Sequence, residues 1–227
     1  MTKEELQTIL NKANKGDKKS IHLRPLLNNV YLAKVWIRIK KTCSQFDPLS
    51  CYLLKNTANK FVGIVCDMRH DLHWYVSFQY RKQGLLTKAM KEVILFHLFQ
   101  NRAMQSISIT ESEIGNKNYQ ASIKVATALG FKKESDNKFI LNADQYQSEE
   151  LLFGDDTDIT QDRICELKDE LKKISYSLWK VQTEIEMALG ESDCTTDIKQ
   201  LVDEINDQVL IIEDTYWDFK DINKVLY

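Results

Sequence analysis

Leu72-His-Trp-Tyr-Val-Ser-Phe-Gln-Tyr-Arg-Lys-Gln-Gly-Leu-Leu-Thr-Lys-Ala-Met90 decides the reading of the first two thirds of the chain. Its apolar opening predicts a strand, a basic turn containing Gly84 follows, and Leu85 to Phe99 reads as a helix. The amides of Gln83, Gly84, Leu85 and Leu86 are then the unpaired donors of a first helical turn, and Gly84 lets backbone approach an anion with no side chain between. Arg81 and Lys82 add positive charge at the same spot. The combination suits phosphate; its plain alternative is a surface turn with incidental basic residues.

About forty residues on, Ser122-Ile-Lys-Val-Ala-Thr-Ala-Leu-Gly-Phe131 predicts an amphipathic helix closed by Gly130 and followed by an apolar strand residue. Together the two segments resemble the GNAT acyltransferase superfamily, over roughly residues 17 to 154. The family's first motif, R/Q-x-x-G-x-G/A after a strand, reads here Arg81-Lys82-Gln83-Gly84-Leu85-Leu86. Its second, N-x-x-S-x-x-x-A-x-x-L-G-F, ends here in Ser122, Ala126, Leu129, Gly130 and Phe131. The resemblance implies a mixed sheet flanked by helices, with acetyl-coenzyme A as cosubstrate and its pyrophosphate on the first loop. It implies contacts from Val76, Ser77 and Phe78 through their backbone, from Arg81, Lys82, Gln83, Gly84, Leu85, Leu86 and Thr87, and from Asn118 and Ser122. The branch it looks most like acetylates protein N-termini, including those of ribosomal proteins, and small amines. Three positions depart from the pattern. Leu86 stands where the family has Gly or Ala, Tyr119 stands where it has Asn with Asn118 one place earlier, and Ala126 stands where many relatives carry a tyrosine acid.

At 227 residues and 43% hydrophobic the chain can bury one substantial core and carry a second small unit. Met1-Thr-Lys-Glu-Glu-Leu opens polar and no apolar run reaches membrane-spanning length, so a cytoplasmic protein without a membrane partner is expected. The cysteines at 43, 51, 66, 165 and 194 are odd in number and lack any C-x-x-C pair, which argues for a reducing compartment and against a metal site. Cys43 and Cys51 remain conceivable nucleophiles without a flanking signature.

Along the chain, Thr2 and Glu5 form a capping box for a short helix with Leu6, Ile9 and Leu10 on one face. Ile21 to Leu26 reads as the first strand, ended by Pro25, and Leu27 to Thr42 has apolar spacing that predicts a helix before the break at Asp47-Pro48. Cys51 to Leu54 and Phe61 to Val65 predict a hairpin across Asn56-Thr-Ala-Asn59, Ser106 to Glu111 alternates as a strand, and closing strands are expected near Phe131 and Leu151.

A different pattern begins near Gly154. Ile164, Leu167, Leu171, Ile174, Leu178, Val181, Ile185 and Ala188, then Ile198, Val202, Ile205, Val209, Ile212, Tyr216 and Phe219, keep 3,4 spacing, so two heptad helices joined by the polar link Gly190 to Thr196 form an antiparallel, coiled-coil-like hairpin. The fold class is therefore α/β plus a helical hairpin, with a domain at 1–155 and the hairpin at 156–227. Residues 156–227 carry 18 acidic and 8 basic side chains, leaving 15 and 23 of the chain's 33 and 31 for residues 1–155, so the two parts bear formal charges of −10 and +8. A basic domain suits a polyanionic cosubstrate and leaves nucleic acid open as a less favoured partner. The acidic face is either simply solvated or meets a basic surface. Trp179, Leu210 and Trp217 beside the seam form a second apolar stripe, expected to pack on the domain or on a second subunit.

Chemistry on a thioester needs a base for the attacking amine and an acid for the leaving thiolate. The residues expected in reach are His73 and Tyr75, which share a strand face, Glu111 and Glu113 at the end of the next strand, and Ser122. For His73 an exposed strand-end histidine is the alternative, and for Glu111 a surface carboxylate. His22, His70 and His97 show no ligand spacing. Three functions stay open: an N-acetyltransferase for a primary amine on a protein N-terminus, a lysine or a small molecule; an acetyltransferase for an RNA-bound substrate such as aminoacyl-tRNA; and a non-catalytic scaffold working through its hairpin.

Overall fold

The computed structural model describes residues 1–36, 48–145 and 159–225. The chain divides into two compact units, Met1–Thr157 and Asp158–Tyr227.

In the first unit, α1 (Lys3–Asn14) starts at the Thr2 capping box, with the Glu5 amide donating to Thr2 Oγ1 at 3.2 Å and the Thr2 amide donating to Glu5 Oε2 at 2.7 Å. Strands β1 (Ile21–Pro25), β2 (Val30–Val35), β3 (Leu49–Lys55), β4 (Phe61–Asp67) and β5 (Leu72–Val76) form one antiparallel sheet in sequence order. The helix expected from Leu27 is a correction: over 30–35 the chain is strand β2. Asn28 and Asn29 take left-handed φ of 52° and 62°, and the Val30 amide donates to the Leu27 carbonyl at 3.0 Å, a type I′ turn that returns the chain as a hairpin. Val30 is buried on the long-helix side of the sheet and Ala33 and Val35 on the α1 side, and the rest of the expected helix, 37–42, lies outside the described residues.

Beyond β5, α2 (Leu85–Ala89) runs through a π-helical stretch (Met90–Ile94) into α3 (Leu95–Phe99). A second sheet follows in the order β6 (Met104–Ser108), β8 (Lys138–Asn142), β7 (Lys132–Lys133), with α4 (Glu111–Ile114) and α5 (Asn116–Ala128) between β6 and β7. Gly130, at φ 90°, closes α5: the Phe131 amide reaches the Ala126 carbonyl and the Gly130 amide the Thr127 carbonyl, both at 3.0 Å, a Schellman pair. The strand expected near Leu151 lies outside the described residues; the partner of β7 is β8. Among the described residues no helix is long and apolar enough to cross a membrane.

The five-stranded sheet is buried on both faces. Leu6, Ile9, Leu10 and Ala13 of α1 pack against Ala33, Cys51, Leu53, Ile64 and Cys66, while Tyr52, Leu54, Val65 and Leu72 face Met90, Val93, Ile94 and Leu98 of the long helix and Ala126 of α5. Successive residues of a strand point to opposite faces, so β5 sends Leu72 and Trp74 to one side and Tyr75 to the α1 side.

The second unit is α6 (Gln161–Leu189) and α7 (Asp193–Val225), packed on each other. Thr160 caps α6 by accepting the Arg163 amide at 3.2 Å, Gly190 at φ 83° ends it, and α7 begins at Asp193, so the link is shorter than the expected Gly190–Thr196. The α6 seam is shifted from the all-apolar reading. Ser175 and Gln182 are buried with Ile164, whereas Ile174 and Val181 are exposed.

Two predictions follow from this packing. Truncation after Asp158 is expected to leave the first unit folded, with a cooperative thermal transition; a fragment without one would show a single core. The second concerns Tyr52, whose buried hydroxyl lies 2.7 Å from His97 Nδ1. Burial, with Arg24 and Arg102 adding repulsion, holds the imidazole below its ordinary value of 6.5, so the ring beside the Tyr52 hydroxyl is kept neutral. The unfolded chain takes up a proton near pH 6.5 that the folded chain refuses; this contribution is whole above that pH and is lost as pH falls toward the lowered folded value. Melting temperature should therefore drop as pH falls below about 6.5 in the wild type, and His97→Gln should flatten the drop; equal slopes in calorimetric scans of the two proteins would refute it.

Candidate functional site

Among the described residues, hydrogen bonds tie the two sheets of the first unit together at one end. Arg102 donates to both carboxylate oxygens of Asp67, at 2.7 and 3.1 Å, and to the Arg69 carbonyl at 2.9 Å. The Ser108 amide donates to Asp71 Oδ1 at 2.8 Å, and Ser106 Oγ donates to the His70 carbonyl. These bridges join the entry of β5 to β6. Beyond Asp71 no strand among the described residues pairs with the outer edge of β5.

That edge has a defined chemistry. The Ser77 amide donates to the Val62 carbonyl at 2.9 Å, so by alternation the backbone groups of Tyr75 and His73 also turn to β4, and those of Trp74 and Val76 turn outward. Arg81 Nε donates to the Val76 carbonyl at 2.9 Å, and its Nη1 donates to Asn118 Oδ1 at 3.1 Å. Asn118 is anchored in turn by donating to the Ile114 carbonyl at 2.8 Å. Arg81 thus clamps the end of β5 to the first turn of α5, with its guanidinium also 5.7 Å from the Tyr75 ring. A deeper tie is the Trp74 indole N–H, which donates to Ser122 Oγ at 3.4 Å one turn further along α5.

The turn itself holds two left-handed residues, Lys82 at φ 62° and Gly84 at φ 73°. Gly84 caps a continuous helix of residues 85–99 and has no side chain to satisfy its first turn, and a Cβ built there meets nothing within 4 Å. The Lys88 amide bonds the Gly84 carbonyl at 2.9 Å, the first link of the helical ladder. The preceding amides of the helix start have no partner within the helix, and the macrodipole favours negative charge at such an end. Leu86 packs half-buried against the core, so the first turn accommodates a large residue there. Lys82 and Gln83 are exposed, Leu85 and Thr87 half-buried, and Phe78, in a short 3₁₀ turn, is 79% exposed.

His73 Nε2 lies 3.5 Å from Asp71 Oδ2, a pair the sequence reading reached only in its histidine. Burial works against the Asp71 charge, but His73 and the Ser108 amide outweigh it and hold the carboxyl below its ordinary range. Asp71 is thereby an ionised anchor for the imidazole. Its signal was present as Asp-x-His on one face of a strand. The Tyr75 hydroxyl donates to Gln7 Oε1 of α1 at 2.9 Å, and Ser77 Oγ donates to the same oxygen at 3.4 Å. Gln7, 68 residues away in sequence, had no local signal. Glu111 and Glu113, expected at a strand end, are exposed on α4, where Glu111 Oε1 accepts from Asn116 Nδ2 at 2.6 Å. Cys51 and Cys66 are fully buried neighbours on β3 and β4; the adjoining thiol and burial push Cys51 far up, so it remains a protonated core residue. Cys43 lies outside the described residues. The structure thus brings together His73 with Asp71, Trp74 with Ser122, and Val76 with Arg81 and Asn118, and it sets Glu111 and Glu113 apart on α4.

Among the described residues no group of three or more His, Cys, Asp or Glu is placed to hold a metal ion. No family model matches the chain, and no curated protein is similar to it in sequence. One solved structure is similar in part, a GNAT superfamily phosphinothricin acetyltransferase from Sinorhizobium meliloti in complex with AcCoA, at 14% identity and a TM-score of 0.32 over 48% of this chain and 70% of that one.

Proposed function

We propose that the first unit is an N-acetyltransferase that moves the acetyl group of acetyl-coenzyme A directly to a primary amine, on a protein N-terminus, a lysine or a small molecule. The observation that carries this is the outward edge of β5 ending at the Lys82–Gly84 turn and the start of a 15-residue helix. A helix start offers amides to a pyrophosphate, and an unpaired strand edge offers alternate N–H and C=O groups to an amide-bearing arm. The sequence motifs shared with the acyltransferase superfamily point to the same ligand. The coenzyme supplies an activated thioester. Gln83, Gly84, Leu85 and Leu86 would hold its phosphates through their amides, with Lys82 and Lys88 adding charge, and Trp74 and Val76 would align its arm.

His73 is the base in this reading. The amine nitrogen bonds to the acetyl carbon, the carbon–sulfur bond breaks, and the proton lost by nitrogen passes to the imidazole, with Asp71 stabilising the resulting cation. Ser122, whose oxygen accepts the Trp74 indole, keeps its own hydrogen as a donor for the departing thiolate. Tyr75 positions the strand against α1 through Gln7.

Gly84→Asp and Gly84→Asn are expected to separate charge from backbone. Both put a side chain at φ 73°, which Asn and Asp tolerate better than most residues, but only Asp places an anion at the helix start. Calorimetric affinity for acetyl-coenzyme A should fall at least ten-fold further in the Asp variant; equal affinities in two folded variants would remove the phosphate assignment. In a thiol-release assay across an amine panel, His73→Gln should lower kcat/KM by about 10²–10⁴-fold. Asp71→Asn should lower kcat by roughly ten-fold or more with little change in KM, because the cation formed on the imidazole loses its counter-charge. Unchanged kcat in Asp71→Asn, with activity retained in His73→Gln, would exclude this pair from the chemistry.

A further inference from the structure

The hairpin has two unlike faces. Ser175 Oγ donates to Asn206 Oδ1 at 2.8 Å, and Lys168 pairs with Glu213. These bridges put Lys168 and Ser175 of α6, and Asn206 and Glu213 of α7, along one flank of the seam, and Gln182 continues the seven-residue series as a buried residue. A step of one residue back turns each helix by about 100°, and in antiparallel helices it carries both to the opposite flank. That flank reads Leu167, Ile174, Val181 on α6 and Ile198, Ile205, Ile212 on α7. These six are all aliphatic, with Leu167, Ile198, Ile205 and Ile212 half-buried beside the seam and Ile174 and Val181 exposed, and the exposed Leu201 and Phe219 extend the stripe. Ile174 is 51% exposed, Val181 48% and Leu201 48%. The Trp179, Leu210 and Trp217 stripe belongs to the other face, beside the polar bridges.

We propose that a second copy of this chain covers the aliphatic face, forming an antiparallel four-helix bundle in which α6 of each protomer packs on α7 of its partner. Three features select this occupant. The stripe runs about 20 Å along α6 and about 30 Å along α7 and is two helices wide, so a copy seated on it covers both helices at once, whereas a lone helix would leave half the width uncovered. The stripe keeps a seven-residue period on both helices, so rotation about a two-fold axis parallel to them brings like faces into one layered core. The charges favour that axis. Residues 161–189 carry 6 acidic and 5 basic side chains and residues 193–225 carry 9 and 3, so this axis sets each acidic α7 between two near-neutral, lysine-bearing α6 helices and keeps the α7 helices apart.

Sedimentation equilibrium of the full chain at about 10 μM should return twice the 26.5 kDa chain mass. Ile174→Glu with Leu201→Glu should weaken self-association at least 100-fold and return the monomer mass, with the 222 nm helical signal retained. Trp179→Ser with Leu210→Ser, on the opposite face, should leave the dimer intact. A wild-type monomer at 100 μM, dissociation by the Trp179/Leu210 pair instead, or no change in Ile174→Glu/Leu201→Glu would each overturn the proposal. So would a wild-type monomer that forms a 1:1 complex with a Leu/Lys amphipathic peptide, since the face would then belong to a basic helix.

Discussion

Everything at the candidate site depends on a joint that is closed at one end and open at the other. Asp67 and Asp71 reach from the end of β4 and the entry of β5 to Arg102 and the Ser108 amide, so the two sheets meet there through side chains. Asp67 and Arg102 form a bidentate, charge-assisted contact, the strong end of the hydrogen-bond range at about 1.5–3 kcal/mol. A continuous ladder at this joint would have zipped β5 onto β6 and removed the edge. Further along, Trp74 and Arg81 hold the strand end to α5 from the side, so the opening is kept to a fixed width by one indole and one guanidinium. The same arginine covers the Val76 carbonyl, which otherwise would be an unsatisfied acceptor on an exposed edge.

The hairpin solves a different problem with opposite means. Lys168, Ser175 and Gln182 occupy positions where aliphatic side chains would pack α6 against α7, and each is satisfied by a partner: Glu213, Asn206 and Glu186. Buried polar groups cost stability unless bonded, but once bonded they fix register. Their presence also displaces the aliphatic residues by one position, to the flank. The hairpin therefore holds its register by the Lys168–Glu213 and Ser175–Asn206 contacts and leaves an aliphatic stripe outside.

Much of the first unit was legible because its signals are local. Capping by Thr2, the Asn56–Asn59 turn, the Gly130 closure of α5 and the strand–glycine–helix unit each sit within a few residues of sequence. What failed to read did so for physical reasons. Val30, Leu32 and Val35 match a helical spacing as loosely as a strand, and only the two positive-φ asparagines before them decide for a hairpin. On α6 the apolar set 164, 171, 178, 185 is shared by two phases of the heptad. The choice between 167 and 168 as the companion series turns on Glu213 and Asn206, which lie on another helix. Gln7 and Asn118 acquire their roles only when distant elements meet.

The Lys82–Gly84 turn shows how these levels combine. A lysine at φ 62° sits in a region that costs a non-glycine residue about 1 kcal/mol or more, and such a conformation persists only where its surroundings over-determine it. Here the neighbour on one side, Arg81, is fastened to Val76 and Asn118, and the neighbours on the other lead into a helix whose Leu86 is set in the core. The backbone between these two fixed points has little freedom to relax. The first-turn amides are therefore already aimed, and a ligand bound there would not have to meet the ordering cost that a loose loop imposes, since the strand and helix on either side have met it in folding.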